Sequence, residues 1–160
     1  MRKQATWLTA LLMLACSCST LLQLVQANDD SDEVMTMKMS EVVDLLMPFG
    51  QSCDPVPERV HLEEMVLNKD DASHPSKCFR RCMLMQFELM PEGEKLYDGA
   101  KTNEMMNMMF PDKEEQSRLI TAKCNQASGL TDECEIAHSI AMCMLREMRV
   151  AAYKIPEIKD

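Results

Sequence analysis

The sequence predicts an all-α domain held by disulfides. Glycine occurs only four times in 160 residues, β-branched alternation is sparse, and apolar residues recur in pairs three and four positions apart, the period of a helix face. A third observation concerns sulfur. Six of the eight cysteines, Cys53, Cys78, Cys82, Cys124, Cys134 and Cys143, lie beyond an N-terminal apolar stretch, an even set suited to full pairing in an oxidising compartment.

The chain opens with Arg2 and Lys3, continues apolar from Trp7 through Leu14 to Leu24, and offers small residues at Val25-Gln26-Ala27, the order of a secretory signal peptide. Cleavage after Ala27 divides the chain into a signal peptide, residues 1–27, and a single domain, residues 28–160. Cys16 and Cys18 leave with the first part. Ser17, Ser19, Thr20 and Gln23 interrupt the run, so it falls short of the about 20 apolar residues of a membrane span. No stable membrane insertion is expected.

The elements follow in order. Met39, Val42, Val43 and Leu46 form one helical stripe, which Pro48 and Gly50 bring to an end. Pro57 suits a first helical position, and Leu62, Met65 and Val66 make a second stripe that stops at Asn68-Lys69-Asp70-Asp71. Pro75 opens a third helix carrying Cys78, Cys82, Met85 and Leu89, closed by Met90-Pro91-Glu92-Gly93. Thr102 is the expected cap of a short helix with Met105, Met106 and Met109 facing inward, ended by Pro111. Asp112-Lys113-Glu114-Glu115 has the shape of a capping box before Leu119, Ile120 and Cys124, with Gly129 near the exit. Thr131 is the expected cap of the last helix, whose first turn holds Asp132 and Glu133 and whose face carries Cys134, Ala137, Ala141, Met144, Leu145 and Met148.

Without the signal peptide, 15 basic residues face 26 acidic ones. Nucleic acid and anionic membranes select for clustered Lys and Arg, so neither is an expected partner. The mature part has no Asn-x-Ser/Thr acceptor for N-glycosylation. No enzymatic constellation stands out. A secreted phospholipase would need a His-Asp pair beside its cysteines and a Gly-rich calcium loop, and the C-x3-C spacing departs from the C-x2-C of zinc sites. No cofactor and no metal are expected.

Cysteine spacing narrows the pairing. Cys78 and Cys82 lie one turn apart on one helix, with Cβ atoms about 5 to 6 Å apart where a disulfide needs roughly 3.5 to 4.5 Å. Cys134 and Cys143 fall on opposite faces of the last helix. Six cysteines allow about 15 pairings, and excluding those two pairs leaves roughly ten.

A ladder with 24, 3, 41, 9 and 8 residues between successive cysteines, in a chain that begins with a signal peptide, resembles the insect odorant-binding proteins of the pheromone and general odorant class. The resemblance covers Cys53 to Cys143, and its C-x3-C and C-x8-C spacings are specific. It implies a six-helix fold around an apolar cavity, with bridges Cys53 to Cys82, Cys78 to Cys134 and Cys124 to Cys143. It also implies a secreted, extracellular carrier of small hydrophobic molecules such as odorants or pheromones.

The side chains bear on the cavity independently. Fifteen methionines remain after the signal peptide is removed, and an unbranched, polarizable side chain suits a wall that remoulds around different ligands. The expected ligand-binding residues are Met65, Met85, Leu89, Met109 and Ile120 on the earlier helices. Met144 and Met148 join them from the last helix, and Tyr153 and Ile158 from the tail. A tail of this kind closes the cavity in similar proteins, and Tyr153 offers a hydroxyl to a ligand. His61, His74 and His138 are candidates for acid-triggered release. The competing reading is a secreted helical signalling protein whose apolar groove engages a receptor. A chemosensory receptor is also a possible partner of the carrier, as monomer or weak homodimer.

Overall fold

The computed structural model describes residues 36–126 and 129–159; the signal peptide expected over residues 1–27 lies outside them. Six helices carry the described chain: α1 (Met39–Gly50), α2 (Arg59–Val66), α3 (His74–Gln86), α4 (Gly99–Met109), α5 (Glu114–Cys124) and α6 (Glu133–Val150), with a 3-10 turn at Pro111–Lys113 before α5. Two short strands, β1 (Thr36–Lys38) and β2 (Glu157–Lys159), pair in parallel with Met37 opposite Ile158. The sequence reading missed this pair, because three residues are too few for a recognisable alternation and the partners lie at opposite ends of the domain.

Several helix ends differ from expectation, each for a local reason. Asp98, not Thr102, caps α4, its Oδ1 accepting the backbone N–H of Ala100 and Lys101; Thr102 is buried within the first turn. Asp132, not Thr131, caps α6 by accepting the N–H of Glu135. A carboxylate at either cap also faces the positive end of its helix. The capping box expected at Asp112–Glu115 does not form, because Pro111 draws those residues into a 3-10 turn. A reciprocal cap forms instead at α2, where the Glu58 side chain accepts from the third helical residue and His61 Nδ1 accepts the Glu58 N–H at 3.1 Å. Pro57 therefore precedes the cap of α2 and does not open the helix. Leu89 lies beyond the end of α3 but is buried in the loop that follows.

The core divides into two clusters. Val43, Leu62, Phe79 and Met83 from α1, α2 and α3 form one, joined by Met39, Leu46 and Met65 at its edge. Gly50 belongs to this side: an added Cβ would meet Pro57 Cγ at 3.0 Å, so the end of α1 packs against the loop only because no side chain intervenes. Met106, Ile120, Ile136, Ile140, Met144 and Tyr153 are among the residues of the second cluster, which α4, α5, α6 and the tail enclose. Between them α3 packs along α6. Each fully buried Leu, Ile or Phe contributes about 1.5 to 3 kcal/mol.

Three disulfides pin these layers. Cys53–Cys82 ties the α1–α2 loop to α3, Cys78–Cys134 ties α3 to the start of α6, and Cys124–Cys143 ties the end of α5 to the middle of α6, with Cα separations of 5.9, 4.5 and 5.6 Å. A buried polar tie adds to them. Arg81, 4% exposed, donates to the carbonyls of Met90, Pro91 and Glu94 and pairs with Glu133 at 3.2 Å. It thereby fastens the α3–α4 loop to both central helices.

Candidate ligand-binding cleft

Beyond α6 the chain cannot continue as a helix. Ala152 adopts φ 54°, reversing the direction, and Pro156 follows four residues later. The tail then runs back to pair with β1. Between this tail, the end of α2 and the last turns of α6 lies a cleft of about 610 Å³ that opens to solvent. Its apolar wall comes from Val66, Leu67, Leu145, Ile155, Pro156 and Ile158, and its polar margin from Asn68, Arg149, Lys154 and Glu157. A volume of this size falls within the range of small-molecule sites, roughly 300 to 1,000 Å³.

Tyr153 fixes the base of the cleft. Its ring packs edge-on against Phe110 at 4.9 Å between centroids, and Lys113 Nζ sits 5.6 Å from its centroid. Its hydroxyl lies 3.0 Å from Ser117 Oγ and donates to the Lys113 carbonyl at 3.4 Å. These partners hold the hydroxyl inside the protein, so Tyr153 offers the cleft a surface and not the hydroxyl contact expected from sequence.

Of the residues expected to bind ligand, the cleft brings together Tyr153 and Ile158. Ile120 and Met144 are buried in the second core cluster with Met148 against it, and Met65 packs against the first. Met109, expected to face inward, is 57% exposed, and Met85 is 37% exposed. In α4 it is Met106 that is buried toward α5, whereas Met109 is the last residue of the helix, where the packing ends. None of the cleft-lining residues is a methionine. What sequence reasoning overlooked was the pair of flanking segments Val66–Asn68 and Leu145–Arg149. The signal available was their aliphatic content beside the tail.

The histidines occupy three different settings. His138, buried on α6, is within 3.2 Å of the Asp70 carbonyl; burial, reinforced by the charge of Arg80, holds its pKa below the usual imidazole value. His61 serves the α2 cap. His74 lies between Glu135, at 3.6 Å, and Asp132, at 4.0 Å. His74, Cys78 and Cys134 bring their ligand atoms within 4.8 Å of one another, but the two sulfurs are bonded to each other. A disulfide offers no thiolate to a metal, so in this state only the imidazole remains as a donor.

Six helices, three cross-links and an open apolar cleft among the described residues define a disulfide-stapled helical domain. The PBP/GOBP family model matches residues 35–147. The chain belongs to this family, the insect odorant-binding proteins that its cysteine ladder resembles. It is 22% identical over 98 residues to general odorant-binding protein 19d of Drosophila melanogaster, a match covering 60% of this chain and 65% of that protein. Among solved structures it is similar to odorant-binding protein dmelOBP28a from Drosophila melanogaster, at 21% identity and a TM-score of 0.49, covering 71% of this chain and 91% of the other. The family match takes in all six bridged cysteines and ends before the tail that walls the cleft.

Proposed function

We propose that the chain is an exported carrier that takes up one small hydrophobic molecule in the tail-walled cleft and releases it reversibly into extracellular fluid. The observation that carries this reading is the cleft itself, an aliphatic surface of ligand size on a domain of the PBP/GOBP family. Three disulfides suit an oxidising compartment outside the cell. Among the described residues no helix is long and apolar enough to cross a membrane, and the N-terminal segment is assigned to export.

The energetics match a carrier. Removing about ten methylenes from water at roughly 0.8 kcal/mol each gives on the order of 8 kcal/mol gross, less ordering costs. That corresponds to a dissociation constant at or above about 1 μM, weak enough to unload. An environment-sensitive apolar dye titrated into the mature protein tests the reading. Saturation near one dye per chain is expected, with loss of affinity in Leu145→Asp. A flat titration overturns it.

A further inference from the structure

We propose that the cleft selects an amphiphile with an anionic head, a carboxylate on an aliphatic tail, and that Arg149 is the residue that receives the head group. This inference rests on the carrier reading and adds the chemical class of the cargo. The first support is a contrast of charge. The whole chain carries a net charge of -9, yet the margin of the cleft holds Arg149 and Lys154 against Glu157 alone. Two cations against one carboxylate favour an anion at this rim over most of an acidic surface.

The second support is the state of Arg149. Arg59, Arg118 and Arg146 each pair with a carboxylate, Arg81 pairs with Glu133, and Arg80 bonds Asn68 and the Met65 carbonyl. Lys154 is engaged as well. Arg149 stands apart: its side chain has no hydrogen bond or ion pair among the described residues, although it borders an apolar cleft. A guanidinium presents a planar fork that a carboxylate meets with two parallel hydrogen bonds.

The third support lies behind the opposite wall. Asn68, held at φ 51°, gives its Oδ1 to Arg80 Nη2 at 3.0 Å and its amide to the Val66 carbonyl at 3.2 Å. Arg80 has no carboxylate partner among the described residues, and its Nε is buried without any partner. Burial lowers its pKa, a mark of a cation poorly compensated by its surroundings. Through its bond to Asn68, this cation stands directly behind a residue that lines the cleft. The aliphatic side chains of the same cleft offer a surface for the tail, so its lining holds both chemistries that an amphiphile needs.

The test is displacement of the apolar dye from the mature protein by dodecanoate, dodecanol and methyl dodecanoate, each below its micelle concentration, in low salt at neutral pH. Dodecanoate is expected to compete about tenfold better than the two uncharged compounds, a ratio that shrinks as salt rises. Arg149→Gln is expected to bring dodecanoate down to the level of dodecanol in the same variant; Arg146→Gln, which removes a cation already paired with Asp70, is expected to keep the preference. Equal competition by all three in the native protein overturns the head-group inference and leaves the carrier reading standing, as does a preference that survives Arg149→Gln. A flat dye titration overturns both. Arg149 is exposed, and unchanged helical circular dichroism confirms that the variant is folded.

Discussion

Removing the Arg81 side chain tests how far one buried polar group holds a loop in place. Its guanidinium, nearly sealed from water, donates to three loop carbonyls and to one carboxylate. Arg81→Met keeps much of the aliphatic volume but leaves the Met90 carbonyl without its donor and the Glu133 carboxylate without its cation. A lost charge-assisted hydrogen bond costs about 1.5 to 3 kcal/mol and an orphaned buried acceptor about 1 to 3 kcal/mol. The five bonds share one group and do not add independently, and Glu133 is 45% exposed, so water recovers part of its loss. A total of about 3 to 5 kcal/mol follows, the range for breaking a buried pair. At roughly 3 °C per kcal/mol for a chain of this size, the midpoint falls by about 10 to 15 °C. Urea denaturation and a thermal scan of the disulfide-intact protein measure it. A loss below about 1 kcal/mol would show that the loop does not depend on this tie.

Other residues give further outcomes. Tyr153→Phe keeps the ring but leaves Ser117 Oγ buried without its partner, and about 1 to 2 kcal/mol of stability is expected to be lost with dye binding retained; abolished binding would mean the hydroxyl does reach the ligand. His138 has a folded pKa below its unfolded value near 6.5. Its contribution is therefore complete above that pH and is lost as pH falls through the folded value. Between pH 7 and pH 5, urea midpoints of the native protein should fall further than those of His138→Gln; parallel curves would refute the assignment. Removing one bridge at a time by paired Cys→Ala changes should cost more for longer closed loops, from about 3 kcal/mol for Cys124–Cys143 to about 4 kcal/mol for Cys78–Cys134. The reverse order in calorimetry would point to native-state contacts as the larger effect.

Helices were legible where a stripe and a breaker coincided. Val43 and Leu62 recur at helical spacing and end at Gly50 and Asn68, and both are buried where that spacing places them. Caps were less legible, because Asp98 and Thr102, or Asp132 and Thr131, both carry an oxygen able to accept a free N–H and lie only a few residues apart. The backbone path decides which side chain meets the free N–H groups. Arg81 was invisible for a different reason: a buried cation is identifiable only once its acceptors are placed, and these come from a loop and from Glu133, 52 residues away.

The methionines show why composition alone does not locate a cleft. A flexible thioether fills irregular space equally well in a core and in a pocket, and sequence does not say which kind of space it meets. Met90, Met106, Met142 and Met144 are all nearly inaccessible to solvent, so there they complete the packing that the disulfides frame. The cleft forms instead where packing stops, at the place where Ala152 turns the chain and the tail, tied to β1 through Ile158 and Met37, spans the ends of α2 and α6. The bridged bundle lies inside the family match, whereas the wall from Ala152 to Ile158 lies beyond it. It follows that exchanging residues 154–158, beyond the buried Tyr153, should alter which ligands are held while leaving the stability of the bridged helices nearly unchanged. Substituting Ile155 and Ile158 together by alanine puts numbers on this. Dye affinity should fall at least fivefold, since each lost side chain removes several methylenes of contact at about 0.8 kcal/mol apiece. The urea midpoint should move little, because Ile158 and Ile155 are only partly buried. A large drop in stability with affinity preserved would mean that Ile155 and Ile158 serve the core as Tyr153 does and that the ligand lies elsewhere.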